Sequence, residues 1–443
     1  MGDTRQFFVK VSYVKDGRRD NGMRVLIADK LPPEHVQKLR GIVEEVEYNP
    51  DLTEITLADH IPNVNVLVVR GTKVRSNVVE RADALELIVR SGAGFENIDL
   101  EAASSRGVYV TNCPDKNSAA VAELTMGLLL AVDRRIPSQT SLLAAKKWDK
   151  ATFGKADGLK GKVFGVIGTG AIGREVIKRA KTFDMSVVAW SRSLTDEDAK
   201  TLGITRAMNI DELIEWSDII SLHLSLTPET KHLLSAERIS QLKPKAIILN
   251  TARGGLIDTN ALAEALREGR VRAGLDVYEG EPAEGTGTFD NILSGIPNWV
   301  GTHHIGASTD QAQRATADET VRIISTYVKT GSVENCVNFA KETPAEYELI
   351  IRHYDKIGVL TRILTDLREA KINVHEVHNV IFEGARAAVA RIQLDTPPTE
   401  QTLSKIASRK DETIHIKLVR LQPAERTVEG LPSMVISSRV IRG

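Results

Sequence analysis

The chain has 443 residues, of which 42% are hydrophobic and 26% charged, and its formal net charge is -1. This composition predicts a globular protein of about three domains and excludes a generally basic protein that coats nucleic acid. No apolar run reaches the roughly 18 residues of a membrane span, and residues 1–22 lack the apolar core of a signal peptide. The two cysteines, Cys113 and Cys336, are in no metal-ligand spacing. We therefore expect no disulfide framework, no metal site and a reducing, cytoplasmic compartment.

After an extension over residues 1–22, short strand-like runs alternate with amphipathic stretches through residues 23–117. The runs are MRVLIAD, VNVLVVR, LELIVRSGAG and GVYVTN, and the helical pattern PPEHVQKLRGI follows the first of them. Strands that alternate with helices form β-α-β units. This region is therefore predicted to be a doubly wound parallel sheet.

The mostly apolar segment from Ser118 to Pro137 predicts one long helix. Because a helix that is apolar around most of its circumference is normally buried, we expect it to pack between other elements.

The region that follows, up to residue 305, repeats the alternation more regularly. Its apolar runs are VFGVI, MSVVAW, DIISLHL, KAIILNTA, RAGLDVY and NWVGTHH. They predict a second doubly wound sheet. A further helix is predicted from Ser308 to Gly331, and the residues alone leave open which of the two sheets it packs against.

The stretch GTGAIG, from Gly168 to Gly173, fits the pattern G-x-G-x-x-G and lies between a predicted strand and a predicted helix. In that context Gly168 permits a tight turn, Gly170 lets the backbone approach a pyrophosphate, and Gly173 allows close packing of helix and strand. Ala171 and Ile172 begin the helix, whose N-terminal N–H groups favour an anion. The stretch therefore predicts a dinucleotide site, with a glycine-rich turn that binds no ligand as the alternative.

The strand MSVVAW is followed by Ser191 and Arg192, at a position where NAD-binding sheets carry an acidic residue. No carboxylate occurs before Asp196. A guanidinium and hydroxyls suit a 2′-phosphate better than a bare ribose, so NADP is predicted to be accepted, alongside NAD or in preference to it. The alternative, in which Arg192 stacks over an adenine or faces solvent, stays open.

Three segments follow later strands of this sheet, NTARGGLID, GLDVYEGEP and THHIGAST, and they carry Arg253, Glu281 and the adjacent His303 and His304. Ligands of open α/β sheets bind at such strand ends. Oxidation of a 2-hydroxy acid by hydride transfer needs a base for the hydroxyl proton, a cation for the carboxylate and the carbonyl oxygen, and a carboxylate that orients the base. The segments therefore predict a dehydrogenase site in which one of the two histidines is the base.

Residues 346–421 carry a third pattern, with the runs YELIIRHYD, GVLTRILTDLREAK, INVHEVHNVIF, ARAAVARIQLD, TEQTLSKIASRK and IHIKLVRL. Their order, β-α-β-β-α-β, predicts a ferredoxin-like α+β domain. Residues 422–443 are predicted to form a tail.

From about Arg24 to Leu421 the sequence resembles the D-isomer-specific 2-hydroxyacid dehydrogenase family, and within it the phosphoglycerate dehydrogenases. The motifs that carry the resemblance are VVRGTKV, VRSGAGFENIDLEAASSRG, NSAAVAELTMGLLL, the glycine stretch, NTARGGLID, LDVYEGEP and HIGAST. The family fold implies a substrate-binding lobe over residues 23–117 and 306–340, and an inserted nucleotide-binding Rossmann lobe over residues 118–305. It also implies a homodimer or homotetramer with the apolar helix in its interface.

The resemblance implies roles for the candidate catalytic residues. Arg253 would bind the substrate and polarise its carbonyl, Glu281 would be the partner of the histidine, and His304, in His-Ile-Gly, would be the general acid/base. Neighbouring residues of a strand point to opposite faces. His303 is therefore predicted to pack behind the strand or on a lobe interface.

The resemblance also implies contacts with cofactor and substrate. Against the nicotinamide ribose and amide it implies Thr251 and Asp276. Facing the substrate from the other lobe it implies Arg70, Arg90, Gly92 and Gly94. A phosphate on the substrate would need cations, for which the candidates are Arg70, Lys73, Arg135 and Lys150, the last two from a neighbouring subunit.

The expected reaction is NAD- or NADP-dependent oxidation of 3-phospho-D-glycerate to 3-phosphohydroxypyruvate, which leads into serine synthesis. One alternative keeps the enzyme class and makes the substrate hydroxypyruvate, glyoxylate or another 2-oxo acid. The other is a nucleotide-sensing binding protein or corepressor. Neither a nucleic acid nor a membrane is expected as a partner.

The C-terminal region resembles the ACT domains, through the stretch RHYDKIGVLTRILTDLREAKINV. The resemblance implies an amino-acid effector such as serine, held between two such modules at His353, Asp355 and Asn373. Ile357 and Asp355 stand where Pro and Asn are common, and a purely structural or dimerising module is the alternative.

Overall fold

The computed structural model describes residues 14–15, 18–19, 22–282, 286–340 and 342–422. The chain divides into two compact units, with the boundary between Val337 and Asn338. Within the predicted extension, β1 (Val14–Lys15) and β2 (Arg18–Arg19) pair as a short antiparallel hairpin. The rest of that extension except Gly22, and the predicted tail except Gln422, lie outside the described residues.

The first sheet has five parallel strands in the order β4-β3-β5-β6-β7, which is the flavodoxin-like order. The strands are β3 (Arg24–Ile27), β4 (Glu45–Tyr48), β5 (Val66–Val69), β6 (Leu87–Arg90) and β7 (Tyr109–Asn112), and the helices between them are α1 (Pro33–Arg40), α2 (Leu57–His60), α3 (Ser76–Arg81) and α4 (Leu100–Ser105). Because helices cover both faces, the central strand β5 is buried at every position and reads as a continuous apolar run. The edge strand β4, partly exposed, is absent from the sequence prediction.

The predicted helix from Ser118 to Pro137 is two helices, α5 (Ser118–Arg134) and α6 (Ile136–Ala144), followed by α7 (Lys150–Phe153). The break lies at Arg135, whose backbone is left-handed with φ 51° and ψ 41°. An isolated left-handed residue cannot continue a right-handed helix. α5 is largely buried, as expected, whereas α6 has no buried residue.

The second sheet has seven parallel strands in the order β10-β9-β8-β11-β12-β13-β14, and its first six follow the Rossmann order. The strands are β8 (Val163–Ile167), β9 (Ser186–Trp190), β10 (Thr205–Arg206), β11 (Ile219–Leu222), β12 (Ala246–Asn250), β13 (Val271–Leu275) and β14 (Trp299–Gly301), and the helices are α8 (Ala171–Thr182), α9 (Asp196–Leu202), α10 (Ile210–Trp216), α11 (Ala236–Gln241) and α12 (Thr259–Arg267). Two hydrophobic clusters, one on each face, hold the helices to this sheet. The strand predicted to run through both histidines ends at Gly301.

The helix that the sequence could not assign to either sheet, α13 (Asp310–Thr330), packs against the first one. Ala317, Ile323, Ile324 and Tyr327 are buried in the same cluster as strand residues of β3, β5 and β6. The chain therefore leaves the first lobe, builds the second, and returns to the first.

The C-terminal unit is a four-stranded antiparallel sheet in the order β16-β17-β15-β18 with two helices. Its elements are β15 (Tyr347–Tyr354), α14 (Val359–Glu369), β16 (Val374–Ile381), β17 (Ala387–Leu394), α15 (Glu400–Ala407) and β18 (Thr413–Arg420). This is the predicted ferredoxin-like order. The predicted fold class of two doubly wound lobes and a small α+β domain is confirmed. In the part of the chain that is described, no helix has the length and apolarity to cross a membrane.

Candidate functional site

The glycine stretch after β8 has the backbone that its residues require. Gly168 has φ 102°, and a Cβ on it would lie 2.3 Å from the carbonyl oxygen of His223. A Cβ on Gly173 would lie 2.0 Å from the carbonyl oxygen of Gly168, so the helix and the turn are in direct contact there. At Gly170, by contrast, nothing lies within 4 Å of an added Cβ. The turn is thus closed on the protein side and open on the side where a ligand would approach.

The start of α8 fits a dinucleotide pyrophosphate. The helix is 12 residues long, begins at Ala171 and Ile172, and has Gly170 as an N-cap without a side-chain hydrogen bond. The N–H groups of a first turn have no partner within the helix, and the helix dipole favours an anion at this end. Since both the open space and the donors are present, the residues fit the predicted cofactor.

At the end of β9, Ser191 is held by a 2.8 Å hydrogen bond between its hydroxyl and that of Thr169. Arg192, the next residue, is exposed. Asp196, which is the first carboxylate after the strand, pairs with Arg206. The edge of the nucleotide site therefore presents a hydroxyl and a guanidinium rather than an acid.

The turn that carries Arg253 is organised by the last residue of β12. The buried side chain of Asn250 donates to the carbonyl of Arg253 at 2.8 Å and accepts from the N–H of Ala252 at 3.0 Å. Thr251 is buried beside the nucleotide lobe's helix α5, with its hydroxyl 2.9 Å from that of Thr125. Because the Thr125 hydroxyl donates to a helix carbonyl, Thr251 is the donor of that pair. Its oxygen keeps lone pairs for another partner.

Glu281 and His304 form a hydrogen-bonded pair. Nδ1 of His304 lies 2.7 Å from one carboxylate oxygen of Glu281, and the other oxygen accepts the N–H of Tyr278 at 2.8 Å. The hydrogen bond that His304 donates to Glu281 raises the pKa of His304 above its ordinary value, against the opposing effect of burial. Burial raises the pKa of Glu281, but the hydrogen bonds from His304 and Tyr278 outweigh it and hold that pKa below its ordinary value. With Nδ1 directed at the carboxylate, Nε2 is the nitrogen left for a substrate.

Asp276 organises the loop that carries His304. Its buried carboxylate accepts from the Thr302 hydroxyl at 2.6 Å and from the N–H groups of Ile305 and Gly306 at 2.8 Å each, and its carbonyl accepts the N–H of His304. Both carboxylate oxygens are therefore used inside the protein. The resemblance implied contact with the nicotinamide, whereas the side chain that the structure describes is bonded to the histidine loop.

The structure corrects the prediction for His303. The strand ends at Gly301 and His304 has φ 52°, so the two histidines do not alternate across a strand. His303 is exposed and is packed neither behind the strand nor between the lobes. Only His304 has a carboxylate partner and lines the cleft.

The first lobe contributes a turn held by an aspartate that the sequence patterns did not single out. One carboxylate oxygen of Asp29, directly after β3, accepts the N–H groups of Arg70, Gly71 and Thr72 at 2.6, 3.1 and 3.0 Å. An acceptor shared by three N–H groups fixes the backbone of the turn after β5, which begins with Arg70.

Arg90 lies over the glycine turn that follows β6. A Cβ on Gly92 would stand 1.5 Å from Nη1 of Arg90, so only glycine leaves room for the guanidinium. Nε of Arg90 is buried and has no hydrogen-bond partner among the described residues. Burial lowers the pKa of Arg90 while the charge of Glu96 raises it. A buried, incompletely bonded guanidinium is a binding group for an anion.

These elements enclose a cleft of about 170 Å³. Four of the predicted residues line it together, namely Arg70, Arg90, Gly92 and His304. Lys30, Asn117 and Gln313 line it as well and were not predicted. Lys30 follows Asp29 directly after β3, so the general rule that ligands bind beyond strand ends was the available signal.

Gly94 and Arg253, which are not among the residues that line this cleft, meet at the turn after β6. A Cβ on Gly94 would lie 2.5 Å from Nη2 of Arg253, and the same distance from a carboxylate oxygen of Glu96. The missing side chain of Gly94 thus lets the arginine of the other lobe approach the turn, and its predicted contact with the substrate stays a prediction.

Of the proposed phosphate ligands, only Arg70 lines the cleft. Lys73 is half-buried and lies 3.6 Å from Glu54. Arg135 donates to the carbonyl of Thr152 at 2.7 Å and covers a phenylalanine ring, and Lys150 lines a different pocket beside α6 and α7. Within one copy of the chain these three cations do not reach the site.

The three proposed effector residues do not form one site within a single copy. His353 is buried near the end of β15, with its ring nitrogens 2.8 Å from the carbonyl of Tyr354 and 3.1 Å from the Asn379 side chain. Asp355 follows it and is exposed. Asn373 precedes β16, which begins beside the start of β15, whereas His353 is near the end of β15. In the described ranges, no group of three or more His, Cys, Asp or Glu residues could hold a metal ion.

Comparison with known proteins identifies the family. Residues 126–306 match the family model described as D-isomer specific 2-hydroxyacid dehydrogenase, NAD binding domain. A D-3-phosphoglycerate dehydrogenase of Methanocaldococcus jannaschii is 44% identical over 318 residues, which are 71% of this chain and 59% of that protein. A hydroxypyruvate reductase of Thermotoga maritima is 42% identical over 304 residues, which are 68% of this chain and 97% of that protein.

A solved structure of NAD+-bound 3-phosphoglycerate dehydrogenase from Entamoeba histolytica has a TM-score of 0.60 and 27% identity to this chain, covering 72% of this chain and 99% of its own. The chain spans about three fifths of the length of the Methanocaldococcus protein. The match to the reductase, by contrast, includes nearly all of that relative. The predicted nicotinamide-cofactor domain is confirmed, and the chain belongs to the D-isomer specific 2-hydroxyacid dehydrogenase family.

Proposed function

We propose that this chain oxidises a D-2-hydroxy acid, or reduces the matching 2-oxo acid, with a nicotinamide cofactor. The observation that carries the proposal is the Glu281–His304 pair, with 2.7 Å between Nδ1 and the carboxylate, in the cleft that Arg70 and Arg90 also line. This reaction requires a base, a carboxylate that orients the base, and nearby cations.

The contacts of the side chains support one role for each. In oxidation the proton of the substrate hydroxyl passes to Nε2 of His304 while the hydride leaves the carbon that bears this hydroxyl. The cofactor, when bound, supplies the hydride acceptor. The charge of the resulting imidazolium is stabilised by Glu281. Arg253 stabilises the oxygen on which negative charge develops, because a guanidinium aimed at that oxygen is most effective when charge builds up. In the reverse direction the imidazolium is the proton donor.

We propose 3-phospho-D-glycerate and 3-phosphohydroxypyruvate as the substrate pair. A doubly charged phosphate and a carboxylate need several cations, and Lys30, Arg70 and Arg90 all line the cleft. The guanidinium of Arg90 lies against Gly92, which also lines the cleft, so it can supply one of these positive charges. The identity to a D-3-phosphoglycerate dehydrogenase also supports this pair.

Reduction of hydroxypyruvate is the second candidate. It is favoured by the 42% identity to a hydroxypyruvate reductase that this chain matches over 97% of its length. The two candidates share the chemistry at His304 and differ in whether the far end of the substrate carries a phosphate.

The test is a steady-state comparison of 3-phosphohydroxypyruvate, hydroxypyruvate and glyoxylate with NADH and NADPH, in wild type and Lys30→Gln. Loss of one phosphate contact is expected to raise KM for the phosphorylated substrate about tenfold, since a charge-assisted hydrogen bond contributes about 1.5 kcal/mol or more. KM for hydroxypyruvate should stay unchanged. Lys38→Gln is the matched control, because Lys38 is an exposed lysine of the same lobe that pairs with Asp318 outside the cleft.

A higher kcat/KM for hydroxypyruvate than for its phosphorylated form in wild type would assign the second candidate instead. Cofactor binding without turnover of any of the three substrates would contradict the enzymatic proposal and favour a binding protein.

A further inference from the structure

An ion pair connects the two lobes across the cleft. Arg253, which follows β12 in the nucleotide lobe, donates from Nε at 3.0 Å and from Nη2 at 2.7 Å to one carboxylate oxygen of Glu96. Glu96 belongs to the loop after β6 in the substrate lobe. Neither the sequence patterns nor the resemblance pointed to Glu96.

The loop around Glu96 is shaped to admit the arginine. Gly94, two residues earlier, leaves the space that Nη2 of Arg253 approaches, because a Cβ there would lie only 2.5 Å away. The same turn contains Gly92, which lines the cleft. One short segment thus supplies a wall of the substrate pocket, the room for Arg253 and the carboxylate that holds it.

The hydrogen bonds of Arg253 leave part of its guanidinium available. A guanidinium has five N–H groups. Nε and one N–H of Nη2 are taken by Glu96, and one N–H of Nη1 donates to the carbonyl of Ala252 at 2.7 Å. One N–H on Nη1 and one on Nη2 have no partner among the described residues. Because Nε and Nη2 share one oxygen of Glu96, the free N–H of Nη2 is on the side of Nη1, where the two groups can bind oxygens of the substrate.

We infer that Glu96 is the positioning residue of the reaction's arginine, so that the substrate lobe orients Arg253 of the nucleotide lobe and leaves its Nη1–Nη2 edge for the substrate. The inference rests on the proposed dehydrogenase function. Its consequence is that the arginine is aimed only while the two lobes are together. When the cleft opens, Glu96 and Arg253 separate, and the long side chain of Arg253 is free to rotate.

The charges around Glu96 are consistent with this role. Burial raises its pKa, but Arg253 and Arg90 outweigh that effect and keep the pKa below its ordinary value, so the group is a carboxylate at neutral pH. Among Arg70, Arg90 and Arg253, one internal carboxylate leaves an excess of positive charge for the substrate. Glu96 thus directs one arginine without neutralising the site.

The opposite role would be that of an internal competitor, in which Glu96 occupies the place of the substrate carboxylate and has to be displaced. The two roles predict different effects of removing Glu96 on kcat and KM. Loss of a positioning residue lowers kcat, because the transition state loses an aligned cation. Loss of a competitor lowers KM and leaves kcat unchanged.

The experiment compares Glu96→Ala and Glu96→Asp with wild type, using whichever 2-oxo acid the wild type reduces fastest. Glu96→Ala is expected to lower kcat about 10- to 100-fold, the range for a misplaced catalytic group. Tm and the Kd for NADH should not change, and Glu96→Asp should recover part of the activity because it keeps the charge. Glu54→Ala is the matched control, since Glu54 accepts from Arg75 at 2.7 Å on the surface of the same lobe.

Two further measurements separate this inference from the proposed function. Glu96→Ala combined with Arg253→Lys should be little slower than Arg253→Lys alone, because Glu96 acts through that arginine. Phenylglyoxal should modify Arg253 at least about twofold faster in Glu96→Ala than in wild type without any substrate, as the lost ion pair exposes it. An unchanged modification rate, or a lower KM with unchanged kcat, would overturn the inference. Faster modification in a chain that reduces no 2-oxo acid would uphold the pairing and contradict the function.

Discussion

Replacement of each histidine in the pair His303–His304 tests which of them carries the proton. His304 bonds to Glu281 through Nδ1 and lines the cleft, whereas His303 is exposed and makes no side-chain hydrogen bond among the described residues. A positioned general acid/base contributes about 10²- to 10⁴-fold to the rate. His304→Gln should therefore lower kcat by that factor, which corresponds to about 3 to 5 kcal/mol in activation free energy.

The stability change in the same variants should be far smaller. The His304 side chain is 52% exposed and that of Glu281 30% exposed. A pair so open to solvent contributes about 0 to 1 kcal/mol to the free energy of unfolding. His303→Gln removes an exposed side chain and should change that free energy by no more than about 0.5 kcal/mol. A change of that size leaves a protein of ordinary stability, about 5 to 15 kcal/mol, almost fully folded. A 100-fold or greater loss of kcat can thus not arise from unfolding.

The assay follows NADH or NADPH absorbance with a saturating 2-oxo acid, together with thermal unfolding and the Kd for the cofactor in each variant. We expect His303→Gln to retain nearly the wild-type kcat and Tm. Equal losses in both variants, or a greater loss in His303→Gln, would refute the reasoning that assigns the proton to His304.

Two further substitutions test the electrostatics of the site. Glu281→Gln removes the group that raises the pKa of His304, so the imidazolium should be lost at lower pH and the falling limb of kcat/KM for reduction should move to lower pH; an unmoved limb would contradict the pairing. Ser191→Asp places a carboxylate beside Thr169 at the edge of the nucleotide site. It should lower kcat/KM with NADPH at least about tenfold relative to NADH, and an unchanged ratio would show that a 2′-phosphate does not bind there.

The glycine stretch could be predicted from the sequence because its requirement is local. The positive φ of Gly168 and the 2.0 Å approach at Gly173 are conditions set within six residues. The two parallel sheets could be predicted from the short apolar runs, because strands that are covered on both faces are apolar throughout.

Two short edge strands and a helix break were not predicted. β4 and β10 lie at the edges of their sheets, where one side of the strand has no neighbour and charged residues such as Glu45 and Arg206 are tolerated. No glycine marks the break at Arg135, because the glycine of this stretch, Gly127, lies inside α5. Pro137 was the available signal, because proline is tolerated in the first turn of a new helix and not in the middle of one.

The missed residues of the site depend on contacts that no local pattern contains. Glu96 and Arg253 are 157 residues apart in the chain. Asp29 binds N–H groups more than 40 residues away. The resemblance provided roles for residues inside matching motifs, and it gave no reason to consider an acid whose function is to hold one of them.

The topology of the two sheets nevertheless limits where such residues occur. In the first sheet, Asp29 and Lys30 follow β3 and Arg70 follows β5, while the segment from Ser91 to Glu96 follows β6. In the second sheet, segments of the site follow three neighbouring strands. Arg253 follows β12, Asp276 follows β13 and His304 follows β14. Parallel strands present all their carboxyl ends at one edge, so two such sheets whose edges meet at a cleft bring six strand ends together. The ion pair Arg253–Glu96 joins one edge to the other. A mutation that opens the cleft without altering a cleft residue is therefore expected to act first through the orientation of Arg253.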